Sequence, residues 1–334
     1  MKQKQTMGNV AILVTDGFEQ VELERERQVV LQELGQARDT PDDIVFDHLQ
    51  SAAYPDQPMG WPILGNEQTV SGFTQNDLRS YMAANYRAGG MTFIASGAVE
   101  HAAIVRLVEE QFAALTVGTA PVAIPAHYVG SDMRVDEDLE QIHVTYAFPG
   151  IPSDDPDIYA AQVYATALGG GMSSRLFQEA REKRGLCYSI YAFAQASTDT
   201  GTIGVYTGTG EAEAGEISAV IAGEMAALAQ GATEVEVARA KAQMKSGMLM
   251  GLERPSSRTE QIAANLLAYG RVLTVEEMTA KLDAVDAEAV RRFGERLMTC
   301  GSPAMAAVGP IEKLESYDLF AARFGAGLAR RAAE

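Results

Sequence analysis

Apolar residues recur along this chain in two rhythms. A period near 3.6 predicts a helix over 23–38, rich in Glu, Arg, Gln and Leu. Thr40-Pro41 predicts the next helix start, with Thr40 as N-cap and Pro41 in the first position. Pro55, Pro58 and Pro62 make the stretch from Tyr54 to Gly65 a loop. Helices are expected over 74–86, capped by Thr74 or Asn76, and over 99–115, with a strand at 91–96 between them. The stretch 116–138 has little periodicity and holds Pro121 and Pro125, so it reads as a linker.

A second block follows. Apolar/polar alternation predicts a strand at 141–148; 186–196 and 202–207 read as strands joined by a Thr-Asp-Thr-Gly turn, and 304–308 as a last strand. Helices are expected over 158–168, 174–184, 213–229, 234–250, 256–269 and 286–298, with Gly185 closing the second of them. The class is α+β, two layers per block. The division is 1–22 as an atypical N-terminal segment, 23–120 as a first domain, 121–138 as linker and 139–334 as a second domain. The two blocks share a rough order of elements, which suits duplicated halves.

Composition narrows the function. The 334 residues carry 45 Asp and Glu against 27 Lys and Arg, a net charge of −18. No basic stripe is present to neutralise phosphates, so nucleic acid is not expected as a partner. No apolar run reaches the roughly 18–20 residues of a membrane span. The apolar stretch 10–14 is too short for a signal-peptide core, and Cys187 and Cys300 are too few for a disulfide framework; both observations point to the cytoplasm. The four histidines, His48, His101, His127 and His143, are spaced so that neither H-E-x-x-H nor H-x-x-E-H occurs.

Three places carry candidate chemistry. On a helical wheel with Leu23 at zero, Val30, Leu34 and Ala37 form the apolar stripe, and Glu26 and Glu33 fall beside it at about 300° and 280°. They are either a metal ligand with an accessory carboxylate, or side chains that reach solvent or pair with Arg. Gly169-Gly170-Gly171 opens a helix, which suits either an anion cradle or a plain helix–turn–helix joint. Arg181 ends one helix and Tyr188 begins the next strand. Together they could offer donors to a peptide carbonyl, or Arg181 could be a solvated charge.

The string from Leu176 to Ser189 (LFQEAREKRGLCYS), preceded by GGGMSSR, resembles the second-half signature of the M16 metallopeptidases, the family of pitrilysin, insulin-degrading enzyme and mitochondrial processing peptidase. The run from Glu22 to Glu33 is similar to that family's glutamate helix; the loop 54–65, Asn85-Tyr86 and the ending Ala307-Val308-Gly309-Pro310 also match. The resemblance covers roughly residues 18–325. It implies two homologous α/β-sandwich halves closing as a clam-shell around peptide substrates, and a zinc held by two His of H-x-x-E-H and a later Glu. Glu33 matches that third ligand, Glu26 an accessory glutamate, and Arg181 and Tyr188 the substrate-clamping pair.

The departure is that H-x-x-E-H is missing, so the first half reads as incomplete, truncated before the glutamate helix. The resemblance then implies a chain that holds no zinc and cleaves nothing alone. It would act as a homo- or hetero-oligomer with another M16 chain, or as a non-catalytic, peptide-binding structural subunit. Residues 10–23 also resemble the opening of DJ-1/PfpI-type proteins, a pattern nothing downstream continues. Uncovered apolar faces and sheet edges predict association.

Overall fold

The computed structural model describes residues 20–119, 121–300 and 302–325, so the N-terminal segment up to residue 19 lies outside it. Helices α1 (Gln20–Arg38) and α2 (Pro41–Ala53) come first. Pro41 does open α2, but the Thr40 hydroxyl donates backward to the Gln36 carbonyl, 2.7 Å, instead of capping it. Short helix α3 (Glu67–Gly72) and helix α4 (Gln75–Asn85) follow, each opened by a capping box, Asn66 with Thr69 and Thr74 with Asp77. Helix α5 is His101–Gln111.

One five-stranded mixed sheet organises the rest. Its strands are β1 (Asp132–Asp136), β2 (Ile142–Pro149), β3 (Cys187–Ala196), β4 (Gly201–Thr209) and β5 (Ala304–Gly309), in the order β1-β5-β2-β4-β3. β1 runs parallel to β5 and the other pairs are antiparallel. The helices between strands are α6 (Ile158–Gly169), α7 (Ala214–Gly231), α8 (Glu234–Gly251), α9 (Pro255–Tyr269), α10 (Val275–Asp283) and α11 (Ala287–Met298); α12 (Tyr317–Ala322) follows β5.

Both faces of this sheet are covered. Val144, Tyr146 and Phe148 of β2 face one core with residues of α6, α7 and α11. The alternate residues Ala147, Ala304, Ala306 and Val308 face Val45, Leu49, Ala52 and Ala53 of α2. The period of two thus feeds two cores at once. Tyr54, just past α2, is fully buried, and its hydroxyl reaches Thr200 Oγ1 at 3.0 Å, Gly201 O at 3.2 Å and Thr202 Oγ1 at 3.2 Å. It ties α2 to the start of β4.

Two expectations are corrected. Residues 91–96 are extended but belong to no strand, because no strand among the described residues lies beside them to complete a ladder. The stretch expected as linker contains β1, whose partner β5 lies about 170 residues further on, beyond the reach of local pattern.

Candidate functional site

Arg181 and Tyr188 lie at one end of the sheet, and two irregularities put them there. The helix after the glycine run widens into a π-helical segment over Phe177–Lys183. Such wide turns are rare and recur at functional sites. Gly185, at φ +64°, closes it in the left-handed region, as expected of a C-cap, with its N–H donating to the Arg181 carbonyl at 3.1 Å. The chain then enters β3 through a β-bulge. Cys187 faces Thr209 and Ser189 faces Gly208, so Tyr188 is the extra residue. A bulge re-aims a side chain, and Tyr188 is 74 % exposed while Cys187 beside it is buried.

The pair meets. The Arg181 guanidinium carbon lies 5.1 Å from the centre of the Tyr188 ring and 4.7 Å from that of Phe177. A guanidinium at this distance from aromatic faces is held by the ring quadrupole. It keeps its five donors at the rim. The surrounding charges are satisfied elsewhere. Glu179 binds Lys183 at 2.8 Å and Arg184 at 2.9 Å, which holds its carboxyl below the ordinary range, and Arg184 reaches Glu216 at 2.6 Å. Arg181 makes no ion pair among the described residues. Burial raises the Cys187 thiol, so it stays protonated near neutrality even though Arg181 opposes that shift. Thr209 Oγ1 donates to the Leu186 carbonyl at 2.7 Å and fixes the strand entry.

The other candidates separate from this rim. Glu26 and Glu33 are both exposed on α1, where their carboxylates reach solvent, while Leu23 and Leu34 alone of that stripe are buried. The family's zinc needs three protein ligands in a catalytic site. Among the described residues no group of three or more His, Cys, Asp or Glu is placed to hold a metal ion. No chemical step is derived through zinc.

The glycine run is a joint: a Cβ at Gly169 would collide with the Ala192 backbone N, so glycine lets α6 close onto β3. Sequence pattern could not find Phe177 as the second ring around Arg181; its spacing of four residues before Arg181 is the one available signal. A histidine also proves to be structural. His143 Nδ1 bonds the Tyr206 hydroxyl at 2.8 Å, and burial lowers its affinity for a proton.

The mixed sheet, covered on both faces, carries the Arg181–Tyr188 pair at its β3 edge. The family described as "Peptidase M16 inactive domain" matches residues 72–244. An "uncharacterized zinc protease" of Rickettsia felis is 32 % identical over 283 residues, 84 % of this chain and 69 % of that protein. The "probable mitochondrial-processing peptidase subunit beta" of Arabidopsis thaliana is 34 % identical over 327 residues, 93 % of this chain and 61 % of its own length. In fold, a chain of complex III2 from Candida albicans aligns with a TM-score of 0.84 at 23 % identity, covering 90 % of this chain and 74 % of its own. The peptidase M16 inactive domain from Pseudomonas fluorescens aligns at 0.78 with 20 % identity, over 90 % and 73 % of the two chains. The chain belongs to the M16 peptidase family.

Proposed function

We propose that this chain is a substrate-holding M16 subunit, in which Arg181 and Tyr188 grip an extended peptide while another M16 chain carrying H-x-x-E-H supplies the zinc and the general base. The observation that carries this reading is the Arg181 guanidinium stacked on Tyr188 at an exposed rim, free of ion pairs among the described residues. A side chain whose fork is pre-positioned loses less entropy on binding a carbonyl. The family match to an "inactive domain" and relatives named as peptidase subunits support the same division of labour. The relatives named zinc proteases support hydrolysis as the chemistry of the assembled pair.

The test is reconstitution. The chain alone should show no chelator-sensitive cleavage of a quenched peptide, and Glu33→Gln should leave its metal content unchanged. Adding an M16 chain that carries H-x-x-E-H should produce cleavage, which Arg181→Ala or Tyr188→Phe lowers. Cleavage untouched by both substitutions would overturn the shared site. Peptide binding without cleavage in any mixture would instead favour a non-catalytic peptide-binding subunit.

A further inference from the structure

The glycine run borders a second cavity that the Arg181–Tyr188 rim does not use. About 400 Å³ lies between the turn at 171–174 and helix α8, with Gly171, Ser174, Arg239 and Gln243 among its walls. Ser174 is 6 % exposed, and its hydroxyl has no hydrogen-bond partner. Buried hydroxyls are nearly always partnered, so an orphan calls for an explanation. Ser174 lies three residues before the π-helical segment Phe177–Lys183, its carbonyl accepting from the Gln178 N–H at 3.0 Å. Its side chain caps none of the N–H groups that follow.

The charge at the cavity is arranged for an anion. Arg239 stands exposed on α8 and has neither an ion pair nor a hydrogen bond among the described residues. Glu236 shares the wall, but Arg175 holds it in a forked pair at 2.6 and 2.9 Å, so its charge is matched. Gln243 donates to the Gly170 carbonyl and fixes the turn.

We infer that this cavity binds a small oxyanion, held by the Ser174 hydroxyl and the Arg239 guanidinium. Two sources present that chemistry: free phosphate and the C-terminal carboxylate of a peptide. The site is independent of the peptide rim, and its test involves no cleavage.

The experiment is calorimetric titration of the full chain at constant ionic strength. One arm uses inorganic phosphate. The other uses a short peptide with a free C-terminus, compared with the same peptide amidated. Saturable binding is expected in one arm, weakened at least fivefold by Ser174→Ala and by Arg239→Gln, with Arg239→Lys keeping part of the affinity. Binding of phosphate alone assigns the free ion; binding of the free-acid peptide but not its amide assigns the peptide terminus. Without ligand, Ser174→Ala should not lower the melting temperature, because it removes the orphan hydroxyl. Absence of saturable binding in both arms, or binding that both variants retain at wild-type strength, would overturn the inference.

Discussion

The Arg181 guanidinium sits 5.1 Å from the centre of the Tyr188 ring, seven positions further along the chain. The contact exists because a π-helical segment and a β-bulge meet at Gly185. The ring, not the hydroxyl, holds the guanidinium, so the two roles of Tyr188 separate by substitution. Tyr188→Phe keeps the stack and removes only a donor to the peptide. Tyr188→Ala removes both. The stack is worth about 0.5–1 kcal/mol at an exposed position. Peptide dissociation constants should therefore rise by roughly a further two- to fivefold from Phe to Ala. A double-mutant cycle with Arg181→Ala on peptide binding checks it, and zero coupling would show that the stack does not position Arg181.

A second prediction concerns acid. Arg175 grips Glu236 in a pair whose side chains are each 16 % exposed. Hydrogen bonding to Arg175 is the largest cause that lowers the Glu236 carboxyl to about 2, with Thr233 adding to it. A carboxyl with a depressed folded pKa stabilises the fold above its unfolded value of about 4.3, and this stabilisation is lost as pH falls toward 2. Glu236→Gln should flatten the decline of the urea midpoint between pH 4.5 and 2 while lowering stability at pH 7. An acid limb as steep in the variant as in the wild type would exclude this pair as its source.

Much of this could be read before the structure, and the failures have physical causes. Gly185 was legible as a cap because a left-handed residue after a helix nearly always needs glycine. Strand β2 was legible from alternation, and β3 and β4 as strands joined by the Thr-Asp-Thr-Gly turn. Residues 91–96 carry a strand's composition, yet a strand is a relation between two segments, and no second one stands beside them among the described residues. β1, reading Asp-Met-Arg-Val-Asp, has a charged pattern unlike a core strand, and only its distant partner β5 reveals it. The pairing of Arg181 with Tyr188 was foreseen; the bulge and wide turn that create it were not, because neither changes the hydrophobic pattern. Periodicity near the edge of an apolar stripe could not say whether the Glu33 side chain is half-buried or exposed, and in the structure it is exposed.

A third prediction tests the bolt between α2 and the sheet. The Tyr54 hydroxyl is fully buried and reaches three oxygens on residues 200–202. Tyr54→Phe keeps the ring and its edge-on contact with Tyr128, centroids 5.5 Å apart. It strands the polar atoms the hydroxyl served, at a cost of about 1–3 kcal/mol. Urea unfolding should show that loss with an unchanged slope, whereas Tyr81→Phe on the exposed face of α4 should be neutral.

The last prediction concerns α4, α5 and residues 91–99, which lie between them in the chain. Neither helix buries a single residue completely. Phe93, Val99, Val105 and Leu107 are all exposed, with the Phe93 ring packed edge-on against Phe112 at 4.3 Å between ring centres. Helices need a second layer against which to bury an apolar stripe. An exposed apolar patch beside an unpaired extended segment drives association. The purified chain should therefore sediment as concentration-dependent oligomers in the micromolar range. Leu107→Glu combined with Phe93→Ser should shift it toward monomer without lowering the melting temperature by more than a few degrees, because both side chains already face water. A wild-type chain that sediments as one monomeric species at every concentration would show that these apolar residues are satisfied within the chain itself.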